Sequence, residues 1–162
     1  HSASSAASDV YKRQVYRWSS KDGYSIVPNS QGTWPNGIDM IDDDLYVNYR
    51  GNGKITKFSS NMRKDLILRT YLNGGPDNVT AVGDELWIGG QNTDLGGLNC
   101  IPEDVIQCSM PFFIIRADRD LNILEEYNFK DVAYGGASVA YPFEDKIFIG
   151  AYKSDRIAIF KR

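Results

Sequence analysis

Histidine occurs once in the 162 residues, as His1, and cysteine only twice, at Cys100 and Cys108. With no imidazole between Ser2 and Arg162, that stretch holds no Ser-His-Asp triad, Cys-His dyad or His-ligated zinc. No apolar run approaches the ~18 residues of a membrane helix, which predicts no span. Basic residues are not in excess. Eighteen Lys and Arg against 21 Asp and Glu give a net charge of −3, which argues against a nucleic-acid partner. Segments of helical period are also missing. What is present is Tyr 10, Phe 7 and Trp 3 beside Gly 15, a composition that suits strands and tight turns.

The first fourteen residues, HSASSAASDVYKRQ, are small and polar, and the composition changes at Val15. The run SSAASDVYKRQ resembles the translated library adaptor found at the ends of unrelated metagenomic and transcriptomic reading frames. It lacks the apolar stretch of a signal peptide. We therefore expect residues 1–14 to be non-native and residues 15–162 to be the C-terminal part of a longer protein. Without Asp9, Lys12 and Arg13, a net +1, the body carries −4 rather than −3.

Three short strand signals share one pattern: Leu45-Tyr46-Val47, Leu86-Trp87-Ile88 and Ile147-Phe148-Ile149, each aliphatic, aromatic, aliphatic. Leu45–Phe58 aligns without a gap on Ile147–Phe160 at an offset of 102, and each contains a hairpin signal, Asn52-Gly53 or Ser154-Asp155. The first two repeats are 41 residues apart and the last two 61, the difference being an insertion at 91–110. A period near 41 with four strands per unit is the signature of a propeller blade.

The fold expected is therefore all-β, a β-propeller fragment of about three four-stranded blades out of a presumed six. The blades are expected at about 15–72, 73–129 and 130–162. Blade one has strands at Ile38–Ile41, Leu45–Tyr49, Lys54–Phe58 and Leu66–Leu72. Blade two has Val79–Val82, Glu85–Gly89, Phe112–Ala117 and Ile123–Phe129. Blade three has Ala137–Pro142, Lys146–Ala151 and Arg156–Phe160, with Val15–Trp18 as the tail of a preceding blade. Missing N-terminal blades are needed to close the ring. An open array of three sheets or a small sandwich is the alternative.

The innermost strand of each blade lines a propeller's channel. The offsets make Asn36, Asp77 and Ser138 equivalent at its start, with Asn78 beside Asp77. One carboxylate with carboxamide oxygens is a hard donor set, suited to calcium or magnesium rather than zinc. Local Asx turns are the alternative use of the same residues.

PNGIDMIDDDLYV (Pro35–Val47) and PDNVTAVGDELWIG (Pro76–Gly89) resemble blade motifs of the six-bladed propellers related to gluconolactonase (SMP-30), paraoxonase/arylesterase and strictosidine synthase. Gly135–Phe160 is most similar to the closing blade of the paraoxonase branch. The resemblance covers Trp34 to Phe160. It implies a calcium-dependent hydrolase of esters or lactones, incomplete here and inactive by itself, acting on a small-molecule ester or lactone. It also implies Asn36, Asp77 and Asn78 as calcium ligands and Trp34, Gln91, Ser138 and Tyr152 as pocket walls. Gln91 stands where those enzymes commonly have a histidine, and Gln is no base. The catalytic base and the early acidic ligand are expected in the missing half. The other readings are a non-catalytic propeller binding a small ligand or protein, and a strictosidine synthase-like enzyme.

Cys100 and Cys108 lie in the insertion. A loop disulfide would imply an oxidising, extracytoplasmic compartment, the location we favour, and two free thiols a cytosolic one. Asn78-Val79-Thr80 is formally a glycosylation sequon, which a role for Asn78 at a metal excludes. Gly51-Asn52-Gly53-Lys54 is a hairpin signal rather than a phosphate loop, and Asp42-Asp43-Asp44 reads as a solvated turn.

Overall fold

The structure, a computed structural model, describes residues 12–59, 62–67, 74–92, 109–130 and 132–162. In chain order the strands are β1 (Lys12–Arg13), β2 (Tyr16–Ser19), β3 (Gly23–Ile26), β4 (Gly32–Thr33), β5 (Pro35–Ile41), β6 (Asp44–Tyr49), β7 (Lys54–Ser59) and β8 (Met62–Ile67). They continue as β9 (Gly74–Val82), β10 (Glu85–Asn92), β11 (Phe112–Asp118), β12 (Ile123–Phe129), β13 (Ala137–Phe143), β14 (Lys146–Ala151) and β15 (Ala158–Lys161). A single 3-10 turn, Arg50–Asn52, interrupts them, and no α-helix occurs among the described residues.

These strands form three successive antiparallel meanders, β5-β6-β7-β8, β9-β10-β11-β12 and β13-β14-β15, preceded by the β2-β3 hairpin and the short β1-β4 pair. The chain is thus an all-β array of propeller-type blades, and its sheets do not close on one another. The gapless alignment is borne out by register. Leu45 pairs with Phe58 and Val47 with Thr56, and at an offset of 102 Ile147 pairs with Phe160 and Ile149 with Ala158.

The triplets explain how the blades stack. Alternate side chains of a strand face opposite ways, so a strand covered on both faces is apolar throughout. Leu86 and Ile88 point at the first blade, where they meet Ile41, Tyr46 and Ile55. Trp87, between them, points at the third blade and meets Ala140, Ile147 and Ile149. Strand β11 divides likewise, with Phe113 and Ile115 in the first cluster and Phe112 and Ile114 in the second. In every blade the aliphatic pair faces backward along the array and the central aromatic faces forward. Leu45 and Val47, accordingly, join a small cluster with Val15, Tyr49 and Phe58.

Polar contacts fix the joint between the first two blades. The Asp39 carboxylate accepts the Ala81 N–H at 2.7 Å, and the Tyr46 hydroxyl donates to the Arg119 carbonyl at 2.7 Å. Lys57 is only 6% exposed and reaches Asp44 at 2.9 Å and Asp120 at 3.0 Å. Burial opposes the charge on Lys57, but the hydrogen bonds to Asp44 and Asp120 outweigh it and raise its pKa.

Some boundaries differ from the sequence reading. The fourth strand of blade one is Met62–Ile67 rather than Leu66–Leu72, because the connection after Ser59 is tight enough to pair Ser59 with Met62. Residues 68–72 lie outside the described residues. Val15–Trp18 is expected as the tail of a preceding blade. In that region Tyr16–Ser19 pairs with Gly23–Ile26 in a hairpin ahead of the first four-stranded sheet, and Lys12–Arg13 pairs with Gly32–Thr33. The last strand starts at Ala158, two residues later than expected.

Candidate functional site

Each inner strand has a bulge at the same place in its blade. In β5, Pro35 pairs with Tyr49 and Ile38 with Val47, so Asn36 and Gly37 oppose Asn48 alone. In β9, Pro76 pairs with Gly90 and Val79 with Ile88, so Asp77 and Asn78 oppose Gly89 alone. In β13, Ala137 pairs with Ala151 and Val139 with Gly150, which leaves Ser138 as the extra residue. A bulge re-aims the side chains it carries and frees them from the ladder's alternation. The positions singled out by the repeat, Asn36, Asp77, Asn78 and Ser138, are the bulge residues.

The glycines allow the inner strands to converge. A Cβ at Gly37 would lie 2.5 Å from the Asp77 carbonyl oxygen and 2.6 Å from the Asn78 Cα. At Gly89 it would lie 3.0 Å from the Ser138 carbonyl oxygen. Backbone therefore packs on backbone where two blades meet at the bulges.

Asp77 is the centre of the resulting polar cluster. Its Oδ1 accepts from Asn36 Nδ2 at 2.6 Å and its Oδ2 from Gln91 Nε2 at 2.8 Å. Its main-chain carbonyl accepts from Asn48 Nδ2 at 3.2 Å. Gln91, fully buried, also donates to the Ala137 carbonyl and so ties the second blade to the third. Arg50 Nη1 donates to Gln91 Oε1 and stands 3.8 Å from Asp77 Oδ2. Beneath this end, the buried Tyr49 donates to the Ser30 carbonyl at 2.6 Å, and burial pushes its pKa up to about 12.

Of the expected residues, Asn36, Asp77 and Gln91 are brought into direct contact. Asn78 shares Asp77's bulge and is half-buried, and its carboxamide has no partner among the described residues. Ser138 occupies the third bulge, half-buried, and its hydroxyl makes no hydrogen bond to the cluster among the described residues. Trp34 and Tyr152 are exposed at 52% and 58%, and both stand at strand ends beside the bulges. The Trp34 carbonyl accepts from Arg50 N at 3.0 Å, and Tyr152 N donates to the Gly136 carbonyl at 3.1 Å. The proposed Cys100–Cys108 disulfide lies outside the described residues, as does most of the insertion between β10 and β11.

Two members of the cluster went unread in the sequence. Arg50 lies 41 residues before Gln91 and 102 before Tyr152, so it is their equivalent in the first blade. The same repeat arithmetic that paired Asn36 with Asp77 finds it. Asn48 is fully buried, and its Oδ1 has no partner among the described residues.

The donor chemistry is compatible with a hard cation. A carboxamide can turn its oxygen where its nitrogen stands, and Asn36 and Asp77 then offer carbonyl and carboxylate oxygens at one place, with Asn78 on the same bulge as Asp77. The orphaned Asn48 Oδ1 beside Asp77 is a further oxygen lacking a partner. Among the described residues, no cluster of three or more His, Cys, Asp or Glu exists, so one carboxylate carries the negative charge. No protein-family model matches the chain, and no curated protein matches it.

Proposed function

We propose that the chain is part of a calcium-dependent hydrolase of small esters or lactones, built on a propeller related to SMP-30 and paraoxonase. The observation that carries this reading is the coincidence of three in-register bulges with the Asn36–Asp77–Gln91 contacts. Asn36, Asp77 and Asn78 hold the metal in this reading, and Trp34, Gln91, Ser138 and Tyr152 wall the pocket. A hard cation bound there supplies Lewis-acid polarisation of a carbonyl. Gln91 orients Asp77 by donating to Oδ2 and fixes the second blade on the third through the Ala137 carbonyl.

No histidine lies among the described residues, and this reading assigns no base. For this reason calcium binding, rather than turnover, is the decisive first readout. Titration calorimetry of the chain with calcium should give saturable binding that Asp77→Ala abolishes. Aryl-ester and lactone hydrolysis with and without chelator is the companion assay. Absence of calcium binding by the chain, together with no hydrolysis of either substrate by the intact protein, overturns the reading.

The second reading, a ligand-binding propeller without catalysis, has one observation in its favour. Gln91 occupies a central place in the cluster and cannot serve as a base. Calcium-dependent ligand binding without hydrolysis by the intact protein would select it.

A further inference from the structure

Arg50 differs from the other arginines at the blade joints. Arg116 is neutralised by Glu85 and Glu125, and Arg119 by Asp42 and Asp84. Arg50 instead gives one donor, Nη1, to a neutral carboxamide, Gln91 Oε1. Its distance of 3.8 Å from Asp77 Oδ2 exceeds a hydrogen bond, and both Asp77 oxygens already accept amide donors. Among the described residues, Nε and Nη2 have no acceptor.

The side chain is nevertheless held. Its main-chain N–H donates to the Trp34 carbonyl, and its stem lies over Gly75, where a Cβ would come within 2.9 Å of Arg50 Cγ. Gln91, itself fixed to Asp77 and Ala137, orients the guanidinium. The side chain keeps 23% of its exposure, so the fork is pre-positioned yet open to a ligand. A planar guanidinium with free N–H groups matches a carboxylate in bidentate geometry.

From these observations we infer that Arg50 anchors a carboxylate on the ligand of this site, which makes the favoured substrates esters or lactones that carry a second, free carboxylate. The inference rests on the metal reading above through one electrostatic fact. Asp77 and Arg50 alone sum to zero charge, whereas a divalent cation beside Asp77 leaves the pair with a net charge of +2. Anion capture is therefore strongest when the metal is bound.

The test is calorimetric titration of the full chain with sodium benzoate, in calcium and again in chelator, for the wild type, Arg50→Gln and Arg50→Lys. Benzoate should bind the wild type more tightly in calcium than in chelator. Arg50→Gln should weaken it about ten- to a hundred-fold, the worth of a charge-assisted hydrogen bond. Arg50→Lys, which keeps the charge and loses the fork, should fall between. Calcium affinity must be retained in both variants, which a collapsed site would not permit. Benzoate that fails to bind, or binds Arg50→Gln as well as the wild type, overturns the anchor while calcium binding leaves the metal reading standing. Benzoate binding that depends on Arg50 in a chain without calcium affinity overturns the metal reading and supports the anchor. A chain that binds neither probe overturns both.

Discussion

Asn36 and Asp77 are 41 residues apart in sequence, one full repeat, and their side chains meet at 2.6 Å. Equivalent residues on two packed sheets normally stand about 10 Å apart. Contact between equivalents is possible only where the inner strands converge and bulges turn the side chains toward one another. The pair therefore marks the end of the array at which the inner strands of the blades converge.

The energetic link between the pair should be measurable. Asn36→Ala, Asp77→Ala and the double variant form a cycle in urea denaturation. A coupling of about 1–2 kcal/mol is expected for a hydrogen bond to a carboxylate. Additive effects would mean that the two side chains act independently.

Gly37 is required by close approach rather than by its own backbone conformation. Gly37→Ala drives a Cβ into the Asp77 carbonyl and the Asn78 backbone, which have no flexible end to yield. A loss of about 1–3 kcal/mol is expected from overpacking, read as a lower urea midpoint. Gly83→Ala, with nothing within 4 Å of the new Cβ but a φ of +61°, should cost about 1–2 kcal/mol from backbone strain alone. Only the Gly37 variant should also disturb the Asn36–Asp77 contact.

Tyr49 gives an alkaline signature. Burial raises its folded pKa to about 12, above the ordinary value of 10.0. Its contribution is fully present below pH 10 and is lost as pH rises through 12, a change of about 2–3 kcal/mol by linkage. Tyr49→Phe should be less stable than the wild type at neutral pH by about 1 kcal/mol, through the lost bond to Ser30. The gap should close and reverse in strong alkali. A constant gap from pH 8 to 12, on the ~10 reference scale, would contradict the buried hydroxyl.

On the acid side the relevant group is Asp44, whose pKa is lowered first by the hydrogen bond from Lys57 and then by that from Ser59. A depressed folded pKa stabilises above the unfolded value of 3.8 and is lost as pH falls through the folded value. Lys57→Met should cost about 1–3 kcal/mol near neutrality, since it strips Asp44 and Asp120 of a buried partner. That difference should shrink steadily below pH ~4. Urea titrations of both proteins across this range would measure it.

The blades were legible because packing on both faces leaves a direct mark in sequence. A triplet such as Leu86-Trp87-Ile88 has no polar member, and its repetition at Leu45 and Ile147 sets the register. The bulges were legible only by position. Nothing in Pro35-Asn36-Gly37 or Pro76-Asp77-Asn78 distinguishes a bulge from a turn until the partner strand is known. Arg50 was missed because it follows a strand and opens a hairpin signal, where an arginine looks like an exposed turn residue. The β2-β3 hairpin was missed for the opposite reason. Its residues are mostly exposed, so burial imposes no alternation on them.

The inner strands divide into two functional lengths. In β5 the residues up to the bulge carry the polar cluster, while beyond it Asp39 and Ile41 enter the joint with the second blade and Ile38 and Met40 stay exposed. The same division falls after Asn78 in β9 and after Ser138 in β13. Under the proposed function, changes of specificity accumulate in the short entries 34–37, 74–78 and 135–138 while the stacking triplets stay as they are. One scaffold can acquire new chemistry at its mouth without relearning how to fold.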